Sequence, residues 1–398
     1  MLTSGDDYPL HQIPEPVAHT IGERNFYDRY FFNGYDRDSS LFFAAALGVY
    51  PQLGVMDAAF SIVIDGVQHN LRASRSSEAL DRMATRVGPI AVEVLEPLRS
   101  LAVRVASPEH GIAADLIFTR RAPPCEEPRF VRRAGARTLM DLTRLTQNGF
   151  WSGRLELEGR TIAIDADRFW GTRDRSWGIR SVGEPDPQPV PGGDRQFYWL
   201  WAPLNFDDRV ALFLRNEDGD GRPWASYAAV IPADAPGAGA DGGLPAPARS
   251  FDAARCRVTL RSGTRHAAAA TLVFDAASDP GAPRGIDSAG PGGSADARER
   301  DRDREGSFTI ELEPRFEFYM SGLGYLHPQW GHGRNRGELA VGHDVERLAG
   351  VDRNDLLHLH VQALCEARMR LADGSVKIGQ GVLEQLVLGR HRPSGLSA

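Results

Sequence analysis

Apolar and polar positions alternate along most of this chain with a period of two, and turn pairs interrupt the alternation at short intervals. The stretch SIVIDGVQHNLRAS (61–74) is two strand-like runs about Asp65-Gly66, a pair that accepts the positive φ angles of a tight hairpin turn. RLELEGRTIAID (154–165) repeats the design about Glu158-Gly159, and MRLADGSVKIGQGVLEQLVLG (369–389) about Asp373-Gly374. Residues 89–120 hold three such runs in succession, separated by Pro97 and by Pro108-Glu109-His110-Gly111. HLHVQALCEARMRL (358–371) alternates throughout, with Leu359, Val361, Ala363, Cys365, Ala367 and Met369 on one face. His358, His360, Gln362, Glu366, Arg368 and Arg370 fall on the other. Helical spacing is confined to two short segments, around 76–86 and 136–147. Many short strands with turn pairs between them predict an antiparallel all-β protein.

Two segments break the pattern. Residues 232–250 are rich in Pro, Gly and Ala, and residues 276–306 are rich in Gly and Pro and end in mixed charges. Neither buries enough apolar surface to offset its ordering entropy, so both read as flexible insertions. The Pro/Gly-rich stretch 181–195 lies midway and predicts a boundary. The expected organisation is two β units, 1–190 and 191–398, each of ordinary domain size.

Composition narrows the class. The 398 residues are 42% hydrophobic and 25% charged, as in a soluble globular protein, and the formal net charge is −7. That balance argues against a nucleic-acid partner, which calls for a basic footprint. Lys377 is the only lysine, so the positive charge is arginine, which pairs well with carboxylates in partly buried sites. Cys125, Cys256 and Cys365 are three and far apart, which fits neither a disulfide framework nor a zinc ribbon. No apolar run has the length of a membrane span, and the opening residues lack the pattern of a signal peptide. The expectation is a cytoplasmic protein.

Chemistry-bearing residues concentrate in GTRDRSWGIR (171–180). In an extended chain Arg173, Arg175 and Trp177 point one way, and Asp174, Ser176 and Arg180 the other. The cluster reads either as salt bridges and an indole closing a barrel, or as a pocket whose acid is Asp174 and whose wall is Trp177. FYWLWAPLNFDDR (197–209) adds Tyr198 and Trp201 as core or as pocket wall. Tyr27, in the aromatic run 26–38, and Asp57, in an otherwise apolar strand, call for partners if buried. LHPQWGHGRNRGEL (326–339) gathers Trp330 and His332 in a Gly-rich turn. His358, His360 and Glu366 share a strand face, but the glutamate is too far along to complete a metal set, so no metal is expected. The chain holds no GxSxG elbow, Walker loop, dinucleotide fingerprint or HExxH pair, and no cofactor is expected.

GTRDRSWGIR followed by FYWLWAPL resembles the AttH-like superfamily, which includes the carotenoid 1,2-hydratases. The opening DDYPLHQIPEP, NFYDRYFFNGYD and the late HPQWGHG are similar to an uncharacterised bacterial subgroup of it. The resemblance implies two tandem lipocalin-like β-barrels with an apolar ligand held in or between them. It also implies protonation and hydration of an isoprenoid double bond. The hydratase signature, similar to R-D-H-S-W-G, falls on Arg173–Gly178, with Arg175 where the signature has histidine.

Two functions follow as expectations, with a metal-dependent β-barrel enzyme as a distant third. The first is an enzyme acting on a terpenoid-, steroid- or polyketide-like molecule without a cofactor. In it Asp174 is the proton donor or charge stabiliser, Arg173 and Arg175 tune it, and Trp177 and Trp201 stabilise a carbocation. Tyr198, Asp57, Tyr27, Trp330 and His332 complete the substrate-binding set. The second is a non-enzymatic lipid-binding or shielding protein in which the arginines lock the barrel. The oligomeric state is open in both.

Overall fold

The structure, a computed structural model, describes residues 10, 14–77, 81–186, 188, 196–234, 248–251, 254–275 and 306–397. All but the last residue of the insertion expected at 276–306, and most of that at 232–250, lie outside the described residues.

Alternation becomes strand after strand. The first thirteen are β1 (Phe26–Asp36), β2 (Leu41–Tyr50), β3 (Val55–Ile64), β4 (Val67–Ser76), β5 (Arg86–Val87), β6 (Ile90–Glu96), β7 (Ser100–Ser107), β8 (Ile112–Arg120), β9 (Cys125–Glu126), β10 (Phe130–Ala134), β11 (Arg137–Leu157), β12 (Arg160–Ile164) and β13 (Phe169–Ile179). Then come β14 (Phe197–Phe206), β15 (Arg209–Glu217), β16 (Pro223–Pro232), β17 (Arg249–Ser250), β18 (Arg255–Leu260), β19 (Ala267–Phe274), β20 (Phe308–Tyr319), β21 (Leu339–Arg347), β22 (His360–Arg370) and β23 (Val376–Leu388). Among the described residues the only helical turns are short 3-10 turns. The turn pairs act as expected: Asp65 and Gly66 take φ of 53° and 73°, and Glu158 and Gly159 take 49° and 81°.

The two expected helices are absent among the described residues. Residues 137–147 belong to β11, a 21-residue strand paired with β13 from Asp141 to Phe150. Cross-strand pairing outweighs the helical spacing of that segment. The 76–86 segment ends β4 and enters β5 at Arg86.

The chain divides into two compact units. One comprises 1–195, 233–245 and 316–362, and the other 196–232, 246–315 and 363–398. The segment 316–362, which lies beyond the boundary expected near 190, thus packs in the first unit.

In the first unit, one sheet runs in the order β21-β4-β3-β2-β1-β13-β11-β8-β7-β6-β5 and curls into a nearly closed barrel. Its interior is filled by residues such as Phe32, Phe43, Phe60, Leu116, Phe118 and Trp151. Buried apolar area of this kind is the main source of its stability. In the second unit, a sheet ordered β17-β16-β15-β14-β23-β22-β20-β19-β18 forms a half-barrel over Leu200, Phe213, Leu272, Phe274, Met369 and Leu383.

Candidate functional site

β13 is flanked by β1 and β11, so each residue of GTRDRSWGI has a fixed neighbour on both sides. Phe32, Trp151 and Phe169 belong to the barrel core, which marks the inner face of these strands. Arg173 sits opposite Phe32 and shares that face, and Arg175 follows two residues on. The Nε of Arg173 donates to Gln147 Oε1 at 2.8 Å, and its guanidinium lies 5.9 Å from the Phe118 ring centroid. Arg175 lies 4.2 Å from the Tyr30 ring centroid and ion-pairs with Asp28. Burial draws Arg173 down to about 10 against the opposing pull of Tyr30 and Asp174. It draws Arg175 down to about 10 as well, with Tyr27 opposing. Both stay charged at neutral pH. Trp177 is half-buried and aligns with Asp28 and Thr143 toward the end of the strand.

Asp174 leaves the opposite, outer face. It is half-buried and aligned with Phe31 and Thr146. Thr146 gives its hydroxyl to Glu127 Oε1 at 2.6 Å. Arg144 forks onto Glu127 Oε2, through Nε at 2.9 Å and Nη2 at 2.5 Å. A second carboxylate therefore lies beside Asp174's neighbour, held by its own arginine. Beyond Asp174 the same face carries Asn33, Thr172 and Asn148 in a row across three strands, all buried. Asn33 Oδ1 accepts from the backbone N–H of Thr172 at 2.8 Å, and its Nδ2 donates to Gln362 at 3.1 Å. Among the described residues, Thr172 Oγ1 and Asn148 Nδ2 are buried with no hydrogen-bond partner. Such atoms are costly to leave unmade.

Gly171 makes this arrangement possible. The Trp151 indole donates to Asn33 O at 2.8 Å. A Cβ at Gly171 would lie 2.2 Å from that oxygen and 2.4 Å from the indole nitrogen.

A second cluster forms on the outer face of β1 and β3, under the segment after β20. The Arg29 guanidinium holds Asp57 Oδ1 and the Tyr50 hydroxyl, both at 3.0 Å. The Gly333 N–H donates to Asp57 Oδ2 at 2.8 Å. Burial lowers Arg29, but Tyr50, Asp57 and Tyr325 outweigh it and hold the group above its ordinary range. Tyr50 is pushed up, first by burial and then by Asp57. Arg180 donates to His332 Nδ1 at 2.9 Å, and His332 Nε2 lies 3.0 Å from Leu323 O. Burial, then Arg29 and Arg180, hold His332 well below its usual range, so the imidazole is neutral. Arg180 also lies 4.5 Å from the Tyr27 ring centroid. Asp57, His332 and Tyr27 thus lie around Arg29 and Arg180, with each hydrogen-bonding group of Asp57 and His332 already engaged.

Trp330 borders this cluster. It lines a cleft with Asp57, Arg72, Leu323, Arg334 and Arg336 whose free volume, about 10 Å³, is room for a single water.

Tyr198 and Trp201 are elsewhere, on β14 of the second unit. Tyr198 joins that unit's core and stacks on His391 at 4.0 Å. Trp201 is buried on the opposite face of the strand, aligned with Glu384. One pocket wall therefore does not contain both. Among the described residues no group of three His, Cys, Asp or Glu side chains is placed to hold a metal ion, and no helix is long and apolar enough to cross a membrane.

Sequence reasoning noted Arg29 and Asn33 within the aromatic run 26–38 without a site role, and missed Tyr50, Thr172, Asn148 and Glu127. Glu127, in PPCEEP, and Arg29, in the aromatic run, carried a local signal, a charge in an unusual setting. The others look like ordinary strand residues, and their role depends on what covers them.

Comparison with known proteins bears on the fold. A crystal structure of a putative AttH from Nitrosomonas europaea matches 91% of this chain and 92% of its own, with a TM-score of 0.50 and 13% identity. A crystal structure of kievitone hydratase from Nectria haematococca matches 90% of this chain and 88% of its own, with a TM-score of 0.43 and 10% identity. The first of these matches shows the tandem lipocalin-like, AttH-like fold that the resemblance of GTRDRSWGIR implied. A search of curated proteins finds no match. A family model covers residues 2–283 and 289–397, and on that match the chain belongs to the family of unknown function DUF8625.

Proposed function

We propose that this protein binds an apolar small molecule bearing a polar group, of terpenoid, steroid or polyketide type, and transforms it by cofactor-free acid–base chemistry. The observation that carries the reading is the outer face around Asp174. A half-buried carboxylate lies there beside a buried polar row in which, among the described residues, Thr172 Oγ1 and Asn148 Nδ2 have no partner. A ligand's hydroxyl or carbonyl would satisfy both atoms and set its apolar body beside Phe31. Asp174 would then protonate the substrate or stabilise developing positive charge. Arg173, on the other face, supplies a fixed positive field that stabilises the carboxylate left after its proton has passed to the substrate.

The second reading is a binding protein without chemistry. The fully engaged Asp57 cluster and the filled first barrel favour it, since both commit their polar and apolar groups to structure.

Native mass spectrometry after incubation with a terpenoid and lipid extract separates the two. An enzyme releases a molecule changed by one water or isomerised, and Asp174→Asn retains the ligand but leaves it unchanged. Retention of an unaltered molecule by both proteins would establish the binding protein. No retention by either would remove both readings.

A further inference from the structure

We propose that Ser394, His391 and Glu217 of the second unit form a nucleophilic relay that accepts an acyl group from a small carboxylic ester. Glu217 ends β15, and His391 and Ser394 lie in the turn that follows β23. His391 Nε2 is 2.8 Å from Glu217 Oε2, and His391 Nδ1 is 2.8 Å from the Ser394 hydroxyl. Nucleophile, base and orienting carboxylate are thus each within hydrogen-bond reach of the next, the geometric requirement for an activated serine.

The electrostatics assign the direction of each bond. Burial pushes the Glu217 carboxyl up, but the His391 and Arg215 hydrogen bonds and charges outweigh it and hold it below its ordinary value. Glu217 is therefore ionised and can only accept. In the neutral imidazole the proton then sits on Nε2, and the Nδ1 lone pair faces the Ser394 O–H. The two ring nitrogens exchange the places they take in the serine-protease template, while the three roles remain. The imidazole cannot swing away, because it is fully buried, stacked on Tyr198 at 4.0 Å, and tied through its backbone to Leu396. Ser394 itself is only half-buried. Gly395 follows it with φ of 69°. A rigid buried base behind a reachable hydroxyl is a productive order, whereas a hydroxyl that only capped the turn would need no carboxylate behind the histidine.

The chemical step balances. Ser394 Oγ bonds to the ester carbonyl carbon while its proton passes to His391 Nδ1. The bond from carbonyl carbon to the leaving oxygen breaks, and the leaving alcohol takes that proton. Water then attacks the acyl-serine, returning the carboxylic acid and the free hydroxyl. Glu217 keeps its charge throughout and stabilises the imidazolium.

The test uses the full chain with p-nitrophenyl acetate and, separately, a fluorophosphonate probe, read by intact mass and peptide mapping. The expected result is one adduct on Ser394, lost in Ser394→Ala and slowed roughly 100-fold in Glu217→Gln. Ser397→Ala, three residues on, should label at the native rate. Because His391 is buried, Ser394→Cys provides a check that does not disturb the base: its alkylation by iodoacetamide should outpace that of free cysteine at pH 7 and follow a single ionisation. Absence of any adduct on Ser394, or labelling that is equal in the native chain and in folded Glu217→Gln, would overturn the proposal.

Discussion

Arg180 donates through Nη2 to His332 Nδ1 at 2.9 Å, and this bond fixes the tautomer of a histidine buried in the segment that covers the first barrel. With Nδ1 accepting, Nε2 must carry the proton and gives it to Leu323 O. Adding a proton would set a cation beside Arg29 and Arg180 in a fully buried site. The folded pKa lies well below the unfolded value of 6.5, so below pH 6.5 the unfolded chain binds the extra proton and the folded one does not. Stability is therefore full above 6.5 and falls as pH drops, by up to about 1.4 kcal/mol per pH unit. His332→Gln should cost about 1–3 kcal/mol at pH 7, yet lose less further stability between pH 6.5 and 5 than the native chain. Guanidinium midpoints at the two pH values measure this, and parallel losses in both proteins would contradict it.

Asp57 is predicted to matter more than the tyrosine that shares its arginine. Arg29 is 2% exposed, and Asp57→Ala would strand its charge at a cost of about 3–5 kcal/mol. Tyr50→Phe removes one hydroxyl from a pair that remains intact, at about 1 kcal/mol. Urea unfolding of the two variants should differ accordingly. Equal losses would mean that the ion pair is worth no more than its neighbouring hydrogen bond.

Two glycine substitutions should fail for different reasons. At Gly171 a methyl group collides with Asn33 O and the Trp151 indole, so Gly171→Ala should cost about 2 kcal/mol or more and shift the Trp151 emission. At Gly66 nothing lies within 4 Å of the new Cβ, but φ is 73°. Gly66→Ala carries backbone strain alone, about 1 kcal/mol, with unchanged emission. Thermal unfolding followed by tryptophan fluorescence reads both.

Imidazole NMR titration should rank three histidines of the first unit. Glu346, bonded to His358 at 2.7 Å, raises His358 above 6.5. Burial, then His110 and His69, lower His343, and burial lowers His69 against Glu158. His358 should be the last of the three to lose its proton as pH rises. A reversed order would show that the His69–His343 ring pair is more open than its 6.2 Å centroid separation implies.

Strands, hairpins and the split of GTRDRSWGIR were legible because they are local. Asp65-Gly66 and Glu158-Gly159 read as turns since only positive φ closes a two-residue hairpin. Arg173 and Asp174 read as opposite faces since the period of a strand is two. The error at 136–147 has the same origin, because apolar spacing alone cannot tell a helix from a strand whose partners are unknown. Thr172 and Asn148 were invisible, and Asn33 stood out only as a polar residue in an aromatic run: nothing in their own neighbourhoods says that the three will meet in one row.

By itself, then, the chain's alternation determines an all-β protein and the face to which each strand residue points, through backbone geometry that acts over a few residues. Only the tertiary structure decided what each face meets. It brought Asp57 and His332 under one arginine-bound cover, and stacked Tyr198 on His391 while aligning Trp201 with Glu384. It also stood Glu217 behind His391, 174 residues away in sequence. Those pairings follow from sheet register and from which segment covers which face, and both are settled by burial across the whole unit rather than by any local run of residues.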